Sequence, residues 1–465
     1  MLENEIKDFF GPNRRIIQAS SPGRMDVMGG VADYSGSLLL QMPIQERTYV
    51  HMAERNDDML RVRSHSAEEV GLRSEVIFPL QELLEKRGEI VKQKLYQHVI
   101  SKQTEWSLYV LGGFFLLLDT KEFTCRGADI YIHSEVPFGK GVSSSAAIEV
   151  ATLIAINALY ALKLNKIELP VLAQKVENQV VGAPCGLMDQ ISSYLGDAGK
   201  LLPIICQPIT VFDPISIPEE ICFVGIDSGV KHAVSGNAYG RARTAAFMGY
   251  TVIAHVLRIS ANELEKAKKT GKWDKLPYQG YLANISPNVF EEKYQSLLPE
   301  QISGKEFMAG YKTIIDHVTH INENEHYPVK NCTAHPVYEN HRIRDFKNTL
   351  EALNQWKVAD RDKAMKMLGQ WMYSSHESYG KCGLGDQYTD VLVEKVREIG
   401  PSGGLYGARI TGGGSGGTVC ILARKGEGEK QAKALWKSYQ EQFNLQTKFF
   451  EGSNAGGYYS GVKEM

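Results

Sequence analysis

Two glycines and three consecutive hydroxyl side chains stand close together near the middle of the first half of the chain. Gly139 and Gly141 are followed at once by Ser143, Ser144 and Ser145. Glycine lets a backbone turn approach a ligand, and the start of a helix presents unpaired N–H groups and the positive end of its dipole. These residue types in this order predict a cradle for phosphate. An ordinary serine-rich helix cap is the alternative that this stretch alone leaves open.

Four further charged residues are candidates for chemistry: two carboxylates close together in the sequence, and an arginine and an aspartate in an earlier segment. Glu177 falls in a stretch of helical periodicity, and Asp189 follows it by 12 residues, where the turn Gly-Ala-Pro-Cys-Gly-Leu-Met opens a new helix. Arg24 and Asp33 lie in the glycine-rich segment 22–36, which we interpret as a ligand-binding loop. Solvated helix carboxylates and a surface ion pair between Arg24 and Asp33 are the structural alternatives.

Strands and helices must position these residues. An alternating strand is predicted over 128–133, before the serines, and a buried helix over 146–162, after them. The remaining elements are predicted from the same signals and are strands and turns over 15–60, helices over 76–120, a helix over 171–180, a buried strand over 220–228, a long helix from 239 and two helices over 339–400. A glycine run over 407–417 leads into a strand, which is the wrong order for a dinucleotide fingerprint.

Length, charge and cysteine content limit the class of protein. A chain of 465 residues predicts two or three domains, and a net charge of −2 gives no footprint for nucleic acid or an anionic membrane. The 7 cysteines are scattered, which indicates free thiols in a reducing cytoplasm. The charged N-terminus is unlike a signal peptide, and no apolar run reaches the roughly 20 residues of a membrane span.

Three glycine motifs together resemble those of a known family. Pro-Gly-Arg near the N-terminus, Pro-x-Gly-x-Gly-x-Ser-Ser-Ser-Ala-Ala and a late Gly-Gly-Gly-x-Gly-Gly resemble the GHMP small-molecule kinases, and within them the galactokinase branch. The resemblance implies a two-lobed α/β (α+β) fold, with a ribosomal-protein-S5-domain-2-like N-terminal lobe and a ferredoxin-like C-terminal lobe. We expect these lobes at 1–205 and 206–465, with the active site in the cleft between them.

That resemblance also implies a reaction, which is transfer of the ATP γ-phosphoryl group to a small-molecule hydroxyl with Mg²⁺, and a role for each candidate residue. Asp189 corresponds to the catalytic aspartate and Arg24 to the arginine beside the reacting hydroxyl. The implied sugar-binding residues are Gly30, Val31, Asp33, Gly186 and Tyr239. The implied ATP-binding residues are Gly139, Gly141, Ser143, Ser144 and Ser145, with Trp106 and Tyr109 near the adenine, and the implied Mg²⁺ ligands are Ser145 and Glu177. Core packing is the alternative for the two aromatic residues.

The N-terminal loop departs from the galactokinase pattern in one place. Galactokinases continue Gly-Glu-His-Thr-Asp-Tyr, whereas this chain has Gly-Gly-Val-Ala-Asp-Tyr from residue 29. The family's Glu and His bind the far side of the sugar, including its CH₂OH group, and Gly30 and Val31 replace them. L-Arabinopyranose has the ring hydroxyls of D-galactopyranose without the CH₂OH, and Ser-Tyr-Gly-Lys-Cys-Gly-Leu-Gly from residue 378 resembles the kinase part of plant L-arabinokinases.

The resemblance therefore implies phosphorylation of L-arabinose at its anomeric hydroxyl. Galactokinase activity, or a non-catalytic sugar sensor, are the alternatives. We expect Gly30→Glu with Val31→His to raise galactose turnover, and Asp189→Ala to abolish turnover with little effect on folding. The expected partners are a sugar and ATP, without nucleic acid or membrane, in a monomer or a weak homodimer.

Overall fold

Two β-sheets with helices packed against them, and a short two-stranded ribbon, build the part of the chain that the structure describes. This computed structural model describes residues 2–84, 89–120, 125–230, 237–355 and 357–465. The strands are β1 (Ile17–Met28), β2 (Leu38–Glu54), β3 (Met59–Ser64), β4 (Glu75–Pro79), β5 (Ala128–Ser134), β6 (Lys200–Cys206), β7 (Ile209–Val211), β8 (Ile215–Ser216), β9 (Ile221–Asp227), β10 (Ile302–Ser303), β11 (His326–Tyr327), β12 (Leu405–Ile410), β13 (Thr418–Arg424), β14 (Phe449–Phe450) and β15 (Val462–Glu464). The α-helices are α1 (Leu2–Phe10), α2 (His65–Glu69), α3 (Gln81–Leu84), α4 (Glu89–Lys102), α5 (Leu108–Thr120), α6 (Ser144–Leu159), α7 (Glu168–Lys175), α8 (Met188–Leu195), α9 (Asn237–Val256), α10 (Ala261–Thr270), α11 (Pro287–Lys293), α12 (Gly304–Tyr311), α13 (Val329–Ala352), α14 (Val358–Lys381), α15 (Gln387–Ile399), α16 (Glu427–Phe443) and α17 (Gly457–Ser460).

The larger sheet belongs mainly to the N-terminal half. Its order is β15-β1-β2-β5-β3-β4, with β6 paired to β2 and with β7 and β8 paired to β6. The strand and helix predicted around the three serines are confirmed as β5 and α6. Because α6 packs across β1 and β2, the long apolar helix after the serines is buried as its composition predicts.

The smaller sheet belongs to the C-terminal half and has the antiparallel order β12-β13-β9-β14. Helices from 329 to 443 pack against it, so the two-lobed fold with mixed α/β content is confirmed. The boundary at residue 205 stays a prediction: β6 spans it, β7 and β8 pair with β6, and β15 returns from the C-terminus to pair with β1.

Local predictions were wrong where glycine or proline lies inside a strand. The segment 22–36 is not one loop, because β1 continues to Met28 and absorbs its irregular residues in two register shifts. A 3₁₀ helix, Gly30–Ser35, follows. Residues 76–120 begin with β4 rather than a helix. The glycine run over 407–417 leads into a strand, β13, as predicted, although its first residues lie in β12.

A shared apolar cluster joins the two sheets. Met25 and Leu40 of the larger sheet pack in one buried cluster with Phe346 and Tyr406 of the C-terminal half. The cleft between the lobes is therefore lined by elements whose relative position is fixed by apolar burial. Among the described residues, no helix combines the length and the apolar character that crossing a membrane requires.

Candidate active site

The serine stretch forms a turn that leads directly into α6. Gly139 and Gly141 have φ angles of 70° and 71°, and Ser143 has φ 60°, so the chain turns through left-handed conformations before the helix begins. Ser143 occupies the position before the helix but makes no capping hydrogen bond, and its buried Oγ has no partner among the described residues. The ordinary-cap alternative is therefore wrong, because the hydroxyl does not satisfy the helix N–H groups. We call residues 139–145 the phosphate loop.

Arg24 and Asp189 form a close ion pair at the centre of the cleft. Arg24 Nη2 lies 2.7 Å from Asp189 Oδ1, and Arg24 Nε donates to the same oxygen at 2.9 Å. Arg24 Nη1 donates to the Gly141 carbonyl at 2.8 Å, which ties the arginine to the phosphate loop. The arginine side chain is 3% exposed and the aspartate 21%. The predicted alternative of a surface pair between Arg24 and Asp33 is wrong.

Glu177 lies on a π-helical turn, Val176–Val181, that interrupts the helix after α7. Burial and the negative charge of Asp189 raise the pKa of Glu177 to about 7, although hydrogen bonds with Ser145, Cys185 and Gln190 oppose this. The Gln190 amide donates to Glu177 Oε2 at 2.7 Å. A buried carboxylate beside a hydroxyl is a hard-oxygen donor set, and it fits Mg²⁺ that is also held by phosphates.

Asp33 faces the same cleft from the 3₁₀ helix Gly30–Ser35. Burial raises its pKa to about 7, although the Arg243 charge opposes this. Its Oδ1 is buried without a hydrogen-bond partner in the described part of the chain, and its Oδ2 lies so close to Gly186 that a Cβ there would be 1.5 Å away. The carboxylate is thus held against backbone and has unused acceptor capacity for a ligand hydroxyl.

One cavity collects most of the predicted residues. Its volume is about 790 Å³ including the open mouth. The predicted residues that line it are Arg24, Gly30, Asp33, Gly139, Gly141, Ser143, Ser144, Ser145, Glu177, Gly186, Asp189 and Tyr239. The cavity therefore brings together the phosphate loop, the carboxylates Glu177 and Asp189 with Arg24, and the polar side chains of Asp33 and Tyr239.

Three predicted residues lie outside this lining. The Val31 side chain is buried in an apolar cluster with Tyr34 and does not line the cavity, so its role as a sugar-binding residue stays a prediction. Trp106 packs against the N-terminal core and donates its Nε1–H to the Arg73 carbonyl, as the core-packing alternative expects. Tyr109 is half-buried near Glu177, behind the cavity. The adenine role of the two aromatic residues stays a prediction.

Sequence reasoning missed how the C-terminal glycine run supports the phosphate loop. The Lys140 ammonium lies 2.9 Å from Asp227 Oδ2 at the end of β9, and the Thr418 hydroxyl donates to the Lys140 carbonyl at 2.8 Å. Gly412 and Gly413 complete the cavity wall. The glycine run itself was the available signal, because consecutive glycines permit backbone to pack against backbone.

Comparison with known families and proteins agrees with this geometry. Models of the GHMP kinases N terminal domain and the GHMP kinases C terminal match residues 109–197 and 349–443. L-arabinokinase from Arabidopsis thaliana is 36% identical over 96% of this chain, which spans only 46% of that longer protein. Galactokinase from Chloroflexus aggregans is 30% identical over 93% of this chain and 90% of its own.

A solved structure has the same fold. The Lactococcus lactis galactokinase complexed with galactose matches with a TM-score of 0.74 at 21% identity, covering 100% of this chain and 99% of that one. The chain belongs to the GHMP kinase family, and it is a sugar kinase of the galactokinase and L-arabinokinase type.

Proposed function

We propose that this protein transfers the γ-phosphoryl group of ATP to the anomeric hydroxyl of L-arabinose, giving L-arabinose 1-phosphate. The observation that carries the proposal is the Arg24–Asp189 pair, which shares one cavity with the phosphate loop and with Asp33. Phosphoryl transfer needs positioning and charge neutralisation more than covalent help from the protein. These groups supply both within one cavity.

Each residue has a distinct part in the reaction. The Asp189 carboxylate accepts a hydrogen bond from the acceptor hydroxyl and takes its proton as that oxygen bonds to the γ-phosphorus of ATP. The bond from the γ-phosphorus to the β,γ-bridging oxygen breaks, and ADP leaves with its electron pair. Arg24 pairs with Asp189 and stabilises the negative charge that develops between sugar and phosphate. The N–H groups at the start of α6, with the serine hydroxyls, hold the phosphate oxygens.

A divalent cation is part of this proposal. Glu177 and the Ser145 hydroxyl would hold Mg²⁺ together with the phosphates, and the bound ion supplies positive charge to the triphosphate. The raised pKa of Glu177 supports this role, because a buried carboxylate without a cation partner favours its protonated form. Binding a cation returns the group to its ionised state.

Asp33 and Gly30 support a pentose as the acceptor. Asp33 has a buried oxygen, unpartnered among the described residues, that a ring hydroxyl can satisfy. Gly30 lines the cavity without a side chain, and Val31 is apolar and does not line it, so neither residue offers a polar side chain for a CH₂OH group. The plant L-arabinokinase is also more similar to this chain than the Chloroflexus galactokinase is.

D-Galactose is the second candidate acceptor, because galactokinases share the fold and cover nearly the whole chain. Parallel steady-state assays with ATP should give a kcat/KM for L-arabinose at least about tenfold above that for D-galactose. Phosphorus NMR of the product should show a sugar 1-phosphate. A preference for galactose would overturn the pentose assignment and leave the kinase intact.

The catalytic test needs an isosteric variant. Asp189→Ala would leave the buried Arg24 guanidinium without its carboxylate, held by the Gly141 carbonyl, so the variant should lose stability as well as turnover. Asp189→Asn keeps an acceptor for Arg24 and should lower kcat by about 10²–10⁴ with a folded protein. Undiminished ATP turnover in that variant would exclude Asp189 from the chemistry, and no turnover with any sugar in the wild type would favour a sensor.

The remaining parts of the proposal concern the molecule as a whole. A cytoplasmic location is supported by all seven cysteines being free thiols in the structure. The lobe boundary at 205 and 206, and a monomer or weak homodimer, stay predictions. Limited proteolysis and light scattering after size-exclusion chromatography test them.

A further inference from the structure

Tyr379 of α14 lies directly behind the wall of the acceptor site. Its side chain is fully buried, and its hydroxyl accepts a hydrogen bond from the Val31 N–H and donates one to the Gly412 carbonyl, both at 2.9 Å. Gly30 and Gly412 both line the cavity. The tyrosine hydroxyl therefore lies between two wall positions that have no side chains of their own.

The space beside Gly30 is already occupied by this tyrosine. A Cβ on residue 30 would lie 1.3 Å from Tyr379 Oη and 2.6 Å from Cζ. The backbone does not require glycine at this position, since Gly29 has φ 120° but Gly30 is outside the left-handed range. Gly30 is thus demanded mainly by the Tyr379 hydroxyl and the ring carbon that carries it, with Asp26 Oδ2 at 2.8 Å as a further close neighbour.

Tyr379 is not free to move away from Gly30. The Arg409 guanidinium lies 5.0 Å from its ring centre and forms a fully buried ion pair with Asp26 at 2.7 Å. Asp26 Oδ2 in turn accepts a hydrogen bond from the Gly30 N–H at 3.0 Å. The Tyr379 ring, the Arg409–Asp26 ion pair and the backbone at Gly30 are thus connected. Displacing the ring would break its contact with Arg409 and its two hydrogen bonds to the wall together.

We propose that Tyr379 is a specificity-determining residue that limits the size of the acceptor by filling the space beside Gly30. This inference rests on the proposed function, because it concerns the end of the same acceptor site. Tyr379 does not line the cavity itself, so an acceptor with a further substituent directed at Gly30 meets the wall backbone, which the tyrosine prevents from moving outward. We therefore expect that Gly30→Glu with Val31→His does not create a hexose site while Tyr379 is present, in contrast to the expectation from the sequence.

The kinetic test compares two sugars in the same preparation, so that the fraction of active enzyme cancels. Tyr379→Leu should raise the ratio of kcat/KM for D-galactose to that for L-arabinose by at least about tenfold, because it removes ring volume. Tyr379→Phe removes only the hydroxyl and keeps the ring, so it should raise the ratio by less than Tyr379→Leu does. Equal ratios in the two variants would overturn the steric explanation.

Tyr250→Leu is the matched control. Tyr250 is also a buried tyrosine whose hydroxyl is hydrogen-bonded, to the Pro277 carbonyl at 2.8 Å, but it does not line the cavity. It should lose stability and leave the sugar ratio unchanged. A ratio that shifts as much in this control as in Tyr379→Leu would overturn the inference, because the effect would then follow from general loosening.

A stability cycle tests the same contact without turnover. Gly30→Ala should lower the melting temperature in the wild type, and should lower it by less than half as much in the Tyr379→Leu background, because the clashing ring is gone. Equal losses in both backgrounds would overturn the inference. If the wild type prefers galactose, the proposed acceptor fails, and the inference is then decided by this cycle alone.

Discussion

Asp33→Asn should raise the melting temperature and lower the activity. The reason is that Asp33 is a buried carboxyl without a counter-charge in hydrogen-bond contact among the described residues. Its side chain is 2% exposed and its Oδ1 has no partner there. Folding raises its pKa from 3.8 to about 7, chiefly through burial. The folded protein thus keeps the proton to a higher pH than the unfolded chain does. The stabilising contribution of Asp33 to the free energy of unfolding is therefore fully present below about pH 4 and is lost as the pH rises through 7.

The magnitude follows from the pKa difference. A difference of about 3 corresponds to about 4 kcal/mol, which relaxation and water entry reduce to about 2 kcal/mol. With an unfolding entropy of about 2.1 cal/mol/K per residue, a change of about 1 kcal/mol in the free energy of unfolding shifts the melting temperature of this chain of 465 residues by about one degree. The variant, which cannot ionise, should therefore gain about 2 °C in melting temperature relative to the wild type between pH 4 and pH 8.

The assay is a series of thermal melts of the ligand-free proteins from pH 5 to pH 8.5, with sugar kinetics in parallel. The advantage of Asp33→Asn should grow up to pH 7 and stay constant above it, while its kcat/KM falls by at least about 10². Asp316→Asn is the control. Asp316 pairs with Arg243 at 2.8 Å, and although burial opposes its ionisation, the arginine lowers its pKa below 3.8.

The melting temperature of the Asp316→Asn control should fall, whereas that of Asp33→Asn should rise. Asp316→Asn leaves the Arg243 charge buried without its partner and should lose about 3–5 kcal/mol at neutral pH. The stability that Asp316 contributes is present above its unfolded pKa and is lost as the pH falls. A melting-temperature difference between Asp33→Asn and the wild type that does not change with pH would refute the reasoning about Asp33.

Three further perturbations follow from the same geometry. Gly186→Ala places a Cβ 1.5 Å from Asp33 Oδ2, so the KM for the sugar should rise at least about tenfold with the KM for ATP unchanged; equal effects on both would contradict a role confined to the acceptor. Lys140→Met leaves the 1%-exposed Asp227 unpaired and should cost about 3–5 kcal/mol in denaturant melts, most of it recovered by adding Asp227→Asn; no recovery would argue against the ion pair. Glu177→Gln should raise the Mg²⁺ concentration for half-maximal rate at least about tenfold, and an unchanged Mg²⁺ titration would remove Glu177 from the metal site.

Motifs in the sequence were enough to identify most of the candidate site. The phosphate loop, Glu177, Asp189, Arg24 and Asp33 all line one cavity. The phosphate loop, Arg24, Asp33 and Asp189 could be found because they lie in or beside glycine-marked segments that resemble a known family, and Glu177 because it precedes Asp189 by the family's spacing of 12 residues. The same reasoning failed where composition alone was used, as when β1 was expected to end in a loop at residue 22.

Contacts between distant segments could not be predicted in this way. Tyr379 lies 348 residues from Val31 along the chain, and no local signal connects them. Trp106 has the helical spacing of a wall for a nucleobase, yet its ring packs on the core and its N–H binds the Arg73 carbonyl. Sequence periodicity shows that a face is apolar, but not what covers it.

The sequence by itself determined the local features of this protein. These are the glycines that permit left-handed turns before α6, the strand before them and the types of side chain at the candidate site. These depend on steric limits of single residues and their neighbours. Only the tertiary structure decided which carboxyl groups are buried and which side chain fills the space beside Gly30. Burial raises the pKa of Asp33, and packing of α14 puts Tyr379 beside Gly30, because both effects depend on which distant atoms exclude water and fill space.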